Sequence, residues 1–304
     1  MMFNGEKWRI SSVSAKFGEP EELGRARARI QNNFMIIGFI GAGVMARAIG
    51  KGLVDAGVVS TKELICSAPT PEDGQPFLDL LPGARWTPDN CDVVRAGDVV
   101  VLAVKPQHLG DALDGLKKVS AGKLILSIAA GVTIEKLRGW LDPSARVIRA
   151  MPNMLLQIGA GASAYAGAPN ATEADLALAE RVLGASGKAW RVEEKQLDAV
   201  TALSGSGPAY VFHFIEALTR GGVALGLAPE LAKNLALQTA LGSAQLAAHS
   251  HLSPLELAAQ VKSPRGTTLA GCAILEEDGA LDQLVARCMA AARTRAEELA
   301  RGEK

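Results

Sequence analysis

The fold class this sequence predicts is α/β, a doubly wound parallel sheet in the N-terminal part followed by an all-helical C-terminal domain. Between residues 35 and 151 short apolar runs alternate with longer amphipathic segments, the pattern of repeated βα units with both sheet faces covered. From about Lys195 to Arg301 strand signals vanish, and small and apolar residues recur at helical spacing, as in Ala232, Leu235, Ala236, Thr239, Ala240 and Ser243. A chain of 304 residues is long enough for each part to bury its own core.

Residues 1–34 are polar and mix Arg25, Arg27 and Arg29 with Glu19, Glu21 and Glu22. A transit peptide is poor in acids, so this stretch predicts a flexible N-terminal extension. The first strand begins near Met35 and ends in Gly41-Ala42-Gly43-Val44-Met45-Ala46, after which residues 47–58 are amphipathic. That order is strand, tight turn, helix. In Gly-x-Gly-x-x-Ala the first glycine permits the turn and the second lets backbone N–H groups approach a pyrophosphate. The small third residue lets helix and strand pack closely. A dinucleotide site is therefore predicted at Gly41, Gly43 and Ala46.

The second strand ends at Ser67-Ala68-Pro69-Thr70, the fourth at Ala103-Val104-Lys105-Pro106 and the fifth at Ser127-Ile128-Ala129-Ala130-Gly131, with a further run at 147–151. Ligands of open α/β sheets bind at such carboxyl ends. An NAD enzyme places an acidic residue after its second strand to hold the ribose 2'-hydroxyl. None stands here, while Ser67 and Thr70 offer donors for a 2'-phosphate, so NADPH is the expected cofactor, with NADH accommodated. Lys105 offers a cation for a phosphate or carboxylate. The boundary between the dinucleotide domain, 35–195, and the helical domain, 196–304, falls between Trp190 and Leu197.

In the helical part, residues 203–210 read as a helix start with small hydroxyl residues and an early proline. Residues 261–268, Val-Lys-Ser-Pro-Arg-Gly-Thr-Thr, precede another helix. The N–H groups of Gly266, Thr267 and Thr268 with two hydroxyls would hold a carboxylate. The alanine-rich helices carry more apolar surface than one small bundle can cover, which predicts association with a second copy.

The 32 basic and 32 acidic side chains cancel, which argues against nucleic acid or an anionic membrane as partner and for a small molecule. No apolar run approaches the roughly 20 residues a membrane span needs. Cys66, Cys91, Cys272 and Cys288 lie far apart without metal-ligand spacing, as in a reducing, cytoplasmic setting, and no metal is expected. None of His108, His213, His249 and His251 is placed as a general base. Hydride delivery to a protonated imine needs no strong base, whereas oxidation of an alcohol does.

Taken in order, the motifs at 38–46, 103–106, 129–132, 203–210 and 263–268 resemble those of pyrroline-5-carboxylate reductases, over residues 35–301. The resemblance implies a Rossmann domain followed by a helical dimerisation domain, in some relatives assembled further into a decamer, a pentamer of dimers. It implies NAD(P)H-dependent reduction of L-1-pyrroline-5-carboxylate, a cyclic imine, to L-proline, the last step of proline biosynthesis. It assigns the cofactor to Gly41, Ala42, Gly43, Val44, Met45, Ala46, Ser67, Ala68, Asn90, Ala103, Val104, Lys105 and Pro106. Ala129, Ala130 and Gly131 would lie beside the nicotinamide and Gln260 near it. Glu194, Ser263, Gly266, Thr267 and Thr268 would hold substrate across the dimer, with Thr268 and Lys105 closest to the chemistry.

Val44 departs from a usual Asn or Gln, Ala202 from a frequent Gly, and Arg265 from a usual Gly. A side chain at position 265 costs ~1 kcal/mol or more if its φ is positive, and its charge leaves room for another substrate, such as a piperideine carboxylate. A non-catalytic dinucleotide-binding protein of the same fold is the remaining alternative.

Overall fold

Four consecutive buried residues form β1 (Ile37–Ile40), which a strand covered by neighbours and helices on both faces requires. The structure is a computed structural model that describes residues 35–301; the extension predicted over 1–34 lies outside those residues. Residues 36–301 lie in one compact unit.

After β1 come α1 (Val44–Asp55), β2 (Leu64–Ser67), α2 (Pro71–Leu80), β3 (Arg85–Thr87), α3 (Asn90–Ala96) and β4 (Val99–Leu102). Then follow α4 (Leu109–Ala112), β5 (Leu124–Ser127), α5 (Ile134–Trp140), β6 (Arg146–Met151), β7 (Gly161–Gly167), α6 (Glu173–Gly184) and β8 (Gly187–Arg191). The strands make one eight-stranded sheet in the order β3-β2-β1-β4-β5-β6-β7-β8. Its first six strands are parallel and have the dinucleotide-binding order. The order reverses between β1 and β4, opening a crevice at their carboxyl ends.

The all-parallel expectation needs correction at one edge. β7 runs antiparallel to β6, pairing Ile148 with Gly167 and Met151 with Ala164. Residues 152–160 between them hold only the short turn Met154–Ile158, too little chain for a parallel crossover. Three strands also lack the apolar runs that mark the others. β3 and β8 are partly exposed edges, and β7 is built from Gly, Ala and Ser around Tyr165.

One side of the sheet buries Val93, Val94, Leu109, Leu113, Leu137 and Leu141 against Ile40, Val100, Leu102, Ile125 and Val147. Beyond β8 every regular element among the described residues is helical: α7 (Leu197–Val200), α8 (Gly207–Ala224), α9 (Pro229–His249), α10 (Pro254–Val261), α11 (Thr267–Glu276) and α12 (Ala280–Arg301). The last of these packs back on α7 and on the turn that follows it. The predicted helix start at 203–210 takes another form. Residues Thr201–Gly205 make a π-turn, and Ser206 keeps helical backbone angles, φ −88° and ψ −23°, without a side-chain cap. The hydroxyls turn backward instead, Thr201 donating to Leu197 O at 2.8 Å and Ser204 to Val200 O at 3.3 Å.

Candidate active site

Gly41 makes the turn after β1 with φ +100°, which favours glycine. Its N–H donates to Ser67 O at 3.0 Å. A Cβ there would stand 3.0 Å from the Ala103 carbonyl and 2.9 Å from Val104 Cγ1, so the ends of β1, β2 and β4 meet without space for one methyl group. Gly43 differs. It caps α1 with extended backbone, φ −69° and ψ −174° and no side-chain cap, and a Cβ would meet nothing within 4 Å.

The first turn of α1, with Val44 and Met45, holds no acidic residue, so its amide end faces open space with the positive end of the helix dipole uncancelled. Ala46 beneath it is fully buried. This cradle fits a pyrophosphate: open where an anion must approach, closed where helix and strand must touch. Val44, which begins α1, is half exposed and apolar; it contributes its N–H but no side-chain hydrogen bond.

Ser67 and Asn90 come together across β2 and α3. The Ser67 hydroxyl donates to Asn90 Oδ1 at 2.6 Å, and Asn90 Nδ2 donates to Ala112 O at 2.8 Å. The hydroxyl expected to point at a 2'-phosphate is therefore engaged within the protein. Thr70 is engaged as well: it caps α2, accepting from Asp73 N at 3.2 Å and donating to Asp73 Oδ2 at 2.9 Å. Neither is a free donor as it stands, because each satisfies a neighbouring backbone or side-chain group first. Ala68 is buried beside them.

Ala103 donates its N–H to Ile40 O at 2.8 Å. Lys105 follows, extended and exposed, before the Pro106–His108 turn. No ion pair to Lys105 occurs among the described residues, so its ammonium is available to an anion. The turn after β5 is held at Ala129, whose N–H donates to Ser127 Oγ at 3.4 Å, and passes through Ala130 to Gly131, φ +71°.

Glu194 reaches this turn. Its Oε1 accepts the N–H of Ile134 at 2.7 Å and lies 3.5 Å from Arg149 Nη1. Arg149 is a residue that sequence reasoning missed. It sits within an apolar strand pattern, and nothing in that pattern signals a buried ion pair.

The C-terminal candidates lie elsewhere. Gln260 is exposed near the end of α10, and Ser263, Gly266, Thr267 and Thr268 surround the start of α11. The Gly266 N–H donates to Ser263 O at 2.9 Å; it closes a turn and is not one of the open donors the sequence suggested. The N–H groups of Thr267 and Thr268, in the first turn of α11, have no such partner among the described residues. A Cβ at Gly266 would fall 2.1 Å from Ser263 Oγ and 3.0 Å from Ser263 O, so a larger residue there would force the Ser263 hydroxyl to turn away. Arg265, at the third position of this turn, has φ +59°, the condition under which the sequence attaches a cost to its side chain. Lys262 pairs with Glu276, tying the loop to the far end of α11. No hydrogen bond among the described residues joins this loop to the strand-end loops of its own chain.

Residues 194–299 match the family model described as pyrroline-5-carboxylate reductase dimerisation, and residues 36–131 one described as NADP oxidoreductase coenzyme F420-dependent. A pyrroline-5-carboxylate reductase of Pisum sativum is 42% identical over 84% of this chain and 93% of its own length. This chain belongs to the pyrroline-5-carboxylate reductase family.

Solved reductases of the family superpose on most of the chain. That of Coxiella burnetii has a TM-score of 0.82 at 36% identity, covering 90% of this chain and 100% of that one. That of Plasmodium falciparum, solved with NADP bound, has a TM-score of 0.78 at 30% identity, covering 88% and 98%. The match to a dimerisation model marks the helical part of this reductase as built for self-association. No helix among the described residues is long and apolar enough to cross a membrane.

Proposed function

We propose that this reductase converts L-1-pyrroline-5-carboxylate to L-proline with NADPH as reductant and NADH as an accepted substitute. The observation that carries the proposal is a pair of open amide ends in one family member, one at Gly43 at the mouth of the sheet crevice and one at Thr267 and Thr268. Bound NADPH would supply the hydride.

The protein's own groups do the rest. Ala42, Gly43, Val44 and Met45 offer the pyrophosphate their backbone N–H groups, Gly41 makes the turn that presents them, Ala46 lets the helix pack beneath, and Lys105 adds a positive charge beside it. Ser67, Ala68 and Asn90 line the adenosine end; Ala103, Val104 and Pro106 continue the groove. Ala129, Ala130 and Gly131 set the depth of the nicotinamide, with Gln260 at its edge. Thr267 and Thr268 hold the substrate carboxylate, framed by Ser263, Gly266 and Glu194, so orientation supplies most of the rate.

We place the boundary between dinucleotide and helical domains at 195/196. We further propose that the site is completed between two chains of a homodimer, able to assemble as a pentamer of dimers. That no hydrogen bond among the described residues joins the 263–268 loop to its own chain's crevice supports this. Four free thiols, Cys66 with its pKa pushed up to about 12 by burial, agree with the cytoplasm. A six-membered cyclic imino acid is the second reading, favoured by the exposed, strained Arg265 at the carboxylate loop.

Loss of NADPH absorbance on adding pyrroline-5-carboxylate tests the proposal, and comparison with piperideine carboxylate ranks the two substrates. The Thr268→Ala variant is expected to raise KM for the imine at least tenfold, about 1.4 kcal/mol, with NADPH affinity unchanged. Equal loss of both would refute the assignment.

A further inference from the structure

Arg149 lies inside β6, between β5 and β7, with 5% of its side chain exposed. A charge so far from water persists only when paired. Its Nη2 donates to Asp198 Oδ1, on α7, at 2.7 Å, and its Nη1 lies 3.5 Å from Glu194 Oε1. The same Glu194 oxygen accepts the Ile134 N–H at 2.7 Å. Ile134 is the first residue of α5 and closes the loop that leaves β5 through Ala129, Ala130 and Gly131. A continuous path thus runs from an interior strand of the sheet, through one guanidinium and one carboxylate, to the backbone of that loop.

The helix itself does not need this contact to start, because Thr133 already caps α5 by accepting from Lys136 N at 3.2 Å. What the Glu194 contact fixes is the loop. On its other side Gly131 abuts α12, where a Cβ would come within 3.1 Å of Leu299 Cβ. The loop is therefore clamped between α12 and the ion cluster. Glu194 is about one-third exposed, and a carboxylate that open would rotate freely unless a rigid partner held it. The planar fork of arginine reaches two carboxylates at once; a lysine is a single point charge and does not.

We propose that Arg149 is a positioning residue for hydride transfer, holding Glu194 on the Ile134 N–H so that residues 129–131 keep one geometry beside the cofactor's reactive ring. This rests on the placement of those residues under Proposed function. Arg149 touches no reacting atom, so its effect falls mainly on turnover, and it reaches substrate binding only through Glu194.

The test takes Arg149→Lys in the full-length protein and measures hydrogen exchange over residues 129–137, NADPH affinity by fluorescence, melting temperature and steady-state kinetics. Exchange in that segment is expected to quicken while the central strands keep their protection. Turnover is expected to fall on the order of 10- to 100-fold, as for a reacting group displaced by a fraction of an ångström. NADPH affinity should stay near wild type, because Gly43 is untouched, and KM for the imine should move less than kcat, because Thr267 and Thr268 are untouched. A purely structural Arg149 would lower the melting temperature and leave kcat and the 129–137 segment unchanged in the folded protein, and that result overturns the proposal.

If Arg149→Lys does not fold, Asp198→Asn keeps volume and the Arg149–Glu194 contact while slackening the guanidinium. It should give the same pattern at smaller size, and unchanged exchange and turnover would again overturn the proposal. Failure of the wild-type protein to reduce the imine would instead refute the functional reading, and hydrogen exchange would still decide the role of Arg149.

Discussion

At Gly41 an added methyl group meets the backbone of Ala103 in a left-handed conformation, whereas at Gly43 it meets open space. The pair separates what the fold needs from what a ligand needs. Gly41→Ala is expected to lower stability by about 1–3 kcal/mol. Gly43→Ala should melt near wild type yet bind NADPH roughly tenfold more weakly. Thermal melts and fluorescence titrations of both variants check this, and a Gly43→Ala protein with normal affinity would remove the phosphate cradle from that loop. Arg265→Gly relieves a left-handed side chain but frees the unfolded chain, so the net gain is about 0.5–1 kcal/mol. A higher KM for the imine in the same variant would show that the Arg265 cation attracts the substrate carboxylate. Gly41, Gly43 and the departure at Arg265 were legible in the sequence: Gly41 answers the backbone demand of the turn, Gly43 the approach of a ligand, and Arg265 stood out as strained wherever its φ is positive. Arg149 was not, because its partners lie 45 and 49 positions away.

Among the elements, those with short apolar runs, β1, β2, β4, β5 and β6, were legible and those without, β3, β7 and β8, were not. β7 is instructive: its small residues accept close neighbours on both sides, and its direction is set by the short connection from β6 and not by its own composition. α6, which follows it, carries a capping box in which Asp175 accepts from Thr172 N and Thr172 Oγ1 and pairs with Arg146 at the start of β6. Burial pushes the Asp175 pKa up, but the Thr172 hydrogen bonds and the Arg146 charge outweigh it and hold the group below its ordinary 3.8. A lowered carboxylate pKa contributes stability that is complete at neutral pH and is lost as pH falls through the folded value. Asp175→Asn should therefore lose about 1–3 kcal/mol at pH 7. The difference from wild type, followed by denaturant melts, should close as pH drops below 3.8. A gap independent of pH would mean that the hydrogen bonds, and not the charge, carry the effect.

For the whole molecule the decisive feature is an unfinished surface. Leu231, Leu235, Leu241 and Leu246 on α9 and Val211, Phe212 and Phe214 on α8 remain 48–60% exposed even with α8 packed on α9. A monomer with so much exposed apolar side chain on adjoining helices calls for a partner, and the dimerisation match spans these helices. The sequence announced this excess through its alanine- and leucine-rich periodicity. It could not say which chain's Thr268 faces which chain's Gly43, because that is a property of the assembly. Mixing subunits decides the point. Gly43→Val weakens the cofactor loop and Thr268→Ala the substrate loop, so with imine and NADPH held well below the raised KM values each homodimer has little activity. In a site shared between chains, a mixed dimer regains one intact site, formed by the wild-type Gly43 of one subunit and the wild-type Thr268 of the other. Random re-association of equal amounts then restores about a quarter of wild-type activity, since half the dimers are mixed and each has one working site of two. In a site confined to one chain every copy keeps a defect, and the mixture stays as inactive as its parents.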